Sequence, residues 1–152
     1  MIPPRVQEIL KARGLQAVEF EENSTPTAPL AAAKLGVTVG QIAKSMLFVS
    51  KQKRFYLVVC PGDLKVSSSK LKALVGEKTR MAGPEETLTV TGFPPGGVCP
   101  FGLREIPLYL DRRLLDYALV YPAAGNAASG VPVSPHELAE ITGADFHDLT
   151  QD

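Results

Sequence analysis

Ile42-Ala-Lys-Ser-Met-Leu-Phe-Val-Ser50, then the polar Lys51-Gln-Lys-Arg54, then Phe55-Tyr-Leu-Val-Val-Cys60, reads as two antiparallel strands joined by a turn. Side chains alternate across a strand, so Ile42, Lys44, Met46 and Phe48 share one face and Ala43, Ser45, Leu47 and Val49 the other. Both faces are mostly apolar, as expected of a central strand covered on both sides. A short, two-sided sheet core of this kind needs helices around it.

Working outward, the chain supplies them. Pro3-Pro4 opens a helix carrying Val6, Ile9 and Leu10 that Gly14 stops. Val18 and Phe20 suggest a short strand. Thr27 is the expected N-cap of a helix from Ala28 to Leu35, closed by Gly36. On the other side, Ser67-Ser-Ser69 caps a helix from Lys70 to Val75, Thr79 to Met81 is extended, and Pro84 to Thr91 is helical. Strands are expected over Ile106–Leu110 and Ala118–Tyr121, with Val131 and Val133 extended. Ser134-Pro-His-Glu137 has the capping-box pattern and opens a last helix to Thr142. Short strands interrupted by helices without a regular βαβ rhythm predict an α+β fold. Its sheet is expected to be mixed, mostly antiparallel and curled toward a barrel, with helices around it.

The chain has 152 residues, with 45% hydrophobic and 21% charged residues, and Lys plus Arg balance Asp plus Glu at 16 each. These values fit one ordinary globular domain over residues 1–152, and the net charge points to no particular partner. No apolar run nears the roughly 20 residues that cross a bilayer, and the N-terminus lacks a signal-peptide shape. Cys60 and Cys99 fit reduced thiols, so the expected compartment is the cytoplasm, and Asn23-Ser24-Thr25 is then an empty glycosylation match. His136 and His147 lack metal-ligand spacing, and neither a phosphate-binding loop nor a dinucleotide fingerprint occurs.

Two features carry chemistry. Lys44 interrupts an apolar strand, and a lysine there must reach solvent or find an anion. A Ser45–Lys44 dyad is excluded, because neighbouring strand residues point to opposite faces. Ser67-Ser-Ser-Lys70 matches S-x-x-K, but helix capping accounts for it. The second feature is Thr91-Gly-Phe-Pro-Pro-Gly-Gly-Val-Cys-Pro-Phe-Gly102. Glycine permits positive φ and close approach, and proline stiffens the chain. The N–H groups of Gly96, Gly97 and Val98 are therefore candidates for holding a developing oxyanion. Cys99 is expected to line a pocket, and Cys60 to be core.

Taken in order, Ile42-Ala-Lys44-Ser-Met-Leu-Phe48, Gly96-Gly-Val-Cys-Pro100, Thr27 to Gly36, and Ser134-Pro-His-Glu-Leu with Thr-Gly-Ala-Asp145 resemble the YbaK/prolyl-tRNA-editing family. The similarity runs from about Val6 to Leu149. It implies an aminoacyl-tRNA deacylase that removes a wrongly attached amino acid, with no metal and no organic cofactor. By position it assigns the essential lysine to Lys44 and the loop glycine to Gly96. Thr27, Ser45, Phe48, Gly97, Val98, Cys99, Pro100, Gly125 and Asn126 then fall around the substrate. Asn126-Ala-Ala128 resembles alanine-directed members, whereas cysteine-directed members tend to carry a Gly-Gly-Lys-Arg-Gly run that is missing here. Cys99 departs from the small residue common there, which leaves the amino acid removed (Ala, Cys, Ser or Thr) open. The implied partners are aminoacyl-tRNA, with tRNA(Pro) first, and prolyl-tRNA synthetase. Lys51, Lys53 and Arg54 at the turn, with Lys70 and Lys72, are the candidate tRNA contacts. The competing expectation is a non-catalytic module of the same fold that binds tRNA or a synthetase; a more distant one is an acyl-transfer enzyme using Cys99.

Overall fold

The structure, a computed structural model, describes residues 1–103 and 105–152. The elements run α1 (Pro4–Ala12), β1 (Val18–Glu19), α2 (Ala28–Leu35), β2 (Ala43–Ser50), β3 (Phe55–Pro61), α3 (Ser68–Val75), β4 (Thr79–Met81), α4 (Pro84–Thr91), β5 (Leu108–Asp111), β6 (Ser129–Gly130), α5 (Pro135–Thr142) and β7 (Phe146–His147). Short 3-10 turns cover Val39–Gln41 and Arg112–Asp116.

Local chemistry sets the helix limits. The hydroxyls of Thr27, Ser67 and Ser134 accept from the backbone N–H groups of Leu30, Lys70 and Glu137, and each helix ends on a left-handed glycine, Gly36, Gly76 or Gly143. Because Ser67 caps at Lys70, α3 begins at Ser68, two residues before the start expected from sequence.

The main sheet has the order β4-β2-β3-β5-β7. The β2–β3 hairpin is antiparallel, pairing Lys44 with Cys60, Ser45 with Val59 and Met46 with Val58. β4 adds antiparallel to β2, whereas β5 adds parallel to β3 and β7 parallel to β5. The sheet is thus mixed, as expected, but it does not close into a barrel: its outer strands, β4 and β7, form two edges that do not pair with each other. β1 and β6 form a separate pair. The strands expected at 118–121 and 131–133 shrink to single bridges, Ile42 with Tyr121 and Val120 with Val133. Pro122 directly follows the first segment and Pro132 lies in the second, and neither offers an N–H to extend a ladder. Pro107 likewise delays β5 to Leu108 while its carbonyl accepts from Leu57 N–H.

The period of two in β3 feeds two cores. Val59 packs with Val6, Leu10, Phe93, Phe101, Leu110 and Leu138, whereas Val58 packs with Leu71 of α3 and Leu149. Both valines are fully buried, each contributing about 1.5–3 kcal/mol in apolar transfer. A small third cluster seats Ala31 and Ala32 of α2 on Ile42. That contact brings the α2 N-terminus against the entry of β2, beside Lys44.

Candidate active site

A cavity of about 280 Å³ opens where the entry of β2, the start of α2 and the loop after α4 meet. Lys44, Ser45, Thr27, Gly96 and Val98 all line it, together with Thr25. Five residues singled out from sequence are therefore brought together from three distant segments. A larger depression of about 690 Å³, lined by Arg5, Lys53, Arg54 and Pro107 among others, lies at the opposite end of the hairpin and holds neither Lys44 nor Gly96.

Lys44 is half-buried, and its Nζ donates to the Gly62 carbonyl at 3.4 Å. That single carbonyl leaves most of an ammonium's donor capacity open to a second acceptor. Ser45 points to the other side of the strand, and its Oγ is buried with no hydrogen-bond partner, so there is no Ser–Lys dyad. Thr27 is exposed at the rim, where its Oγ1 accepts from Leu30 N–H at 3.4 Å.

The loop owes its shape to a tight turn over Pro94-Pro95-Gly96-Gly97. Gly96 has φ +79°, and a Cβ there would stand 2.6 Å from the Pro26 carbonyl oxygen. Gly97 N–H donates back to the Pro94 carbonyl at 2.9 Å. This is the arrangement of a type II turn, with proline first and glycine second among the central residues. Gly97 is therefore not the free donor expected from sequence, because its amide closes the turn. The Gly96 and Val98 amides have no partner among the described residues.

Other expected residues fall outside the cavity. Cys99 is fully buried among Val6, Phe93 and Phe101, and its Sγ donates weakly to the Phe101 carbonyl at 3.9 Å. Burial pushes its thiol up to about 12. It is a core residue and no nucleophile at neutral pH, which corrects the pocket-lining expectation. Cys60 is also core; burial pushes it up to about 12 against the opposing pull of the Lys44 ammonium. Pro100 is buried behind the loop. Phe48 faces the α3 side, packed with Val58 and Leu71. A Cβ on Gly97 would meet the Asn126 backbone at 2.7 Å, and one on Gly125 would strike Pro3 and Phe93, so these glycines let segments pack closely. Asn126 opens onto a different groove beside Phe20 and Pro95, and its Oδ1 accepts from Ala128 N–H at 3.0 Å.

Among the basic residues, Lys51 and Lys53 are exposed at the β2–β3 turn. Arg54 pairs with Glu77 at 3.4 Å. Lys70 is held by Asp148 and Asp152, both at 3.0 Å, and by the Thr150 carbonyl at 2.7 Å, so it ties down the C-terminus. Lys72 is exposed on α3. Among the described residues no group of three His, Cys, Asp or Glu side chains comes together as a metal site, and no helix is long and apolar enough to cross a membrane. Sequence reasoning missed Thr25, which reads as one more turn residue before Pro26.

Comparison with known proteins matches this geometry to one group. The family model "Aminoacyl-tRNA editing domain" matches residues 22–141. YwhH of Bacillus subtilis (strain 168), an uncharacterized protein, is 41% identical over 125 residues, covering 82% of this chain and 79% of its own. The "Putative Cys-tRNA(Pro)/Cys-tRNA(Cys) deacylase EbsC" of Enterococcus faecalis (strain ATCC 700802 / V583) is 26% identical over 121 residues, covering 78% of this chain and 74% of its own. A solved structure described as "a putative trans-editing enzyme for prolyl tRNA synthetase" superposes with a TM-score of 0.88 at 40% identity over 100% of both chains. With the family model spanning the cavity, the loop and the lysine strand alike, the chain belongs to the aminoacyl-tRNA editing domain family.

Proposed function

We propose that residues 1–152 act as one editing domain that hydrolyses the ester of a mischarged aminoacyl-tRNA, in the cytoplasm, with tRNA(Pro) as the first candidate and prolyl-tRNA synthetase as a functional neighbour. The observation that carries this reading is the meeting of Lys44 with the Gly96–Val98 backbone around one small cavity, in a chain of the editing family. The tRNA(Pro) assignment takes its support from EbsC, whose name includes tRNA(Pro) alongside tRNA(Cys), and from the neighbour described as a trans-editing enzyme for prolyl tRNA synthetase.

The mechanism follows from what the residues can supply. Lys44 offers its remaining donor capacity to a terminal phosphate oxygen, which anchors the acceptor end at the rim. The amino acid enters the cavity, and the free amides of Gly96 and Val98 stabilise the oxyanion that forms when the ester carbonyl is attacked. A water, oriented by the neighbouring ribose hydroxyl, attacks the ester carbonyl and gives up a proton. The ester C–O bond then breaks, the departing ribose oxygen takes up a proton, and the free amino acid leaves as its carboxylate. An oxyanion donor is typically worth about 10²–10³ in rate, so two amides and a positioned substrate suffice for an activated ester without a nucleophilic side chain. Cys99, buried and protonated, has no role in it.

The test is a deacylation panel crossing amino acids with tRNAs, run on wild type and Lys44→Ala. Lys44→Ala is expected to lower kcat/KM by at least about 100-fold with an unchanged circular dichroism spectrum. Full turnover in that variant removes Lys44 from the mechanism. Tight tRNA binding with no deacylation of any pair replaces the hydrolase by a binding module.

A further inference from the structure

The loop that presents the Gly96 and Val98 amides is gripped at both ends by one side chain from outside it. Arg5, in the first turn of α1, donates from Nη2 to the Thr91 carbonyl, where α4 ends. Its guanidinium lies over the Phe93 ring, with Cζ 4.4 Å from the ring centroid. A Cβ on Gly92 would stand 3.0 Å from Arg5 Nη2, and one on Gly102 would stand 3.4 Å from Arg5 Cδ. The chain therefore leaves α4 and returns from the loop against the same arginine.

The charge serves α4 rather than its own helix. A cation in the first turn of α1 opposes the macrodipole of that helix, and no acidic residue there offsets it. The last turn of α4, where the terminal carbonyls carry partial negative charge, has no basic residue of its own. Arg5 supplies it across the fold, and no carboxylate competes for Arg5 among the described residues. The contacts use what arginine has and lysine lacks, a planar group that stacks on a ring while its edge donates. Beneath it, Val6 and Leu10 of α1 share a core with Phe93, Cys99 and Phe101. α1 lies ahead of residues 22–141, the extent of the family match, and Arg5 does not line the cavity.

We infer that Arg5 is a positioning residue for the hydrolysis: it fixes both stems of the loop between Gly92 and Gly102, so that the Gly96 and Val98 amides stay aimed at the developing oxyanion. The inference rests on the hydrolase reading above. At its tip the loop is held by close approach, Gly96 to Pro26 and Gly97 to Asn126; Arg5 holds the opposite end. Oxyanion donors work by direction set in advance, and a misplacement of about 1 Å caused far from the chemistry can cost about 10²-fold in rate. The amides act only once the oxyanion forms, so the loss belongs in kcat and not in KM.

The experiment measures kcat and KM for wild type, Arg5→Ala and Arg5→Lys. The substrates are tRNA(Pro) charged with the amino acid that the panel above selects, and the same amino acid esterified to adenosine. Both variants are expected to lower kcat by about tenfold or more on both substrates with KM unchanged. Arg5 opens onto the depression of about 690 Å³, which gives a small cation a way in. Methylguanidinium below denaturing concentration should restore most of the kcat of Arg5→Ala, whereas methylammonium should not, and Lys44→Ala should gain from neither. If Arg5→Ala is unfolded by circular dichroism, Arg5→Met, which keeps the stem against Gly102, takes its place with the same expectation. Unchanged kcat in both variants overturns the inference and leaves the hydrolase standing. A higher KM confined to tRNA overturns it as well, by making Arg5 an RNA contact. So does a lowered kcat that methylguanidinium does not restore, which would put the loss in the packing of α1. A wild type that deacylates no ester removes the hydrolase reading and the inference together.

Discussion

Lys44 and Cys99 show what single residues disclose and what they conceal. A lysine inside an apolar strand is a local contradiction, visible without coordinates, and it sits at the cavity with donor capacity to spare. Gly96 was legible for a similar reason, because Pro-Pro-Gly-Gly can be met by a turn that demands positive φ. Cys99 and the Gly97 amide were not legible, since burial in a core and a bond closing a turn depend on where the chain folds back. The thiols make a sharp prediction. Both Cys60 and Cys99 rise from an ordinary 9.0 to about 12 because burial disfavours the thiolate. The unfolded chain then releases these protons first as pH rises, so the stabilisation from keeping them protonated is complete below about pH 9 and is lost progressively from there toward 12. Urea midpoints measured at pH 8, 9.5 and 10.5 should fall less steeply in a Cys60→Ala/Cys99→Ala variant than in wild type. Parallel declines would show that neither thiol is shielded. Full labelling by a thiol reagent at pH 8 should likewise require denaturant.

At the scale of elements, the helices were readable nearly to the residue and the sheet was not. Thr27 with Gly36, and Ser134 with Gly143, mark start and stop by satisfying the orphan groups of a helix end, a chemistry complete within about ten residues of chain. The β2–β3 hairpin was also local, joined by a four-residue turn that includes Lys53 at φ 62°. Parallel pairing of β3 with β5 joins residues about fifty apart, and no local pattern specifies it. The mixed, mostly antiparallel sheet was anticipated, but that it stays open was not, because whether the edge strands β4 and β7 pair is a long-range property of the sheet order. The local helix code is directly testable at α5, which lies away from the cavity. Ser134 Oγ accepts from Glu137 N–H at 3.1 Å, and loss of such a cap costs about 1 kcal/mol, within a range of 0.5–2. Ser134→Ala should lower the unfolding free energy by that amount, Ser134→Asp should recover most of it, and neither should change deacylation. A Ser134→Ala variant as stable as wild type would mean that α5 is held by Leu138 in the core rather than by its cap.

Across the whole molecule, the two ends of the central hairpin separate the chemistry from the charge. Lys44 lies at the entry of β2, and Lys51 and Lys53 lie beyond its far end at Ser50. Six residues at about 3.3 Å each put roughly 20 Å between Lys44 and the turn. An aminoacyl nucleotide in the cavity cannot touch both ends, but a tRNA body extending from it can. Much of the other basic surface is already committed, with Arg54 on Glu77, Arg80 on Glu86 and Lys70 on the C-terminal carboxylates. A balanced net charge can therefore coexist with a directional cationic tip. If Lys51 and Lys53 meet tRNA phosphates, Lys51→Glu/Lys53→Glu should weaken tRNA binding and reduce the slope of log affinity against log salt by about 1–2, one counterion for each phosphate no longer neutralised. The same variant should deacylate a minimal aminoacyl-adenosine ester like the wild type, because the turn is out of reach of that substrate. Lys44→Ala reports a different failure, lost turnover on both substrates, if its role includes holding the ester itself; if it touches only the terminal phosphate, the adenosine ester escapes the defect. Equal effects of the turn variant on full tRNA and on the short ester would contradict the separation and place the turn's influence inside the cavity.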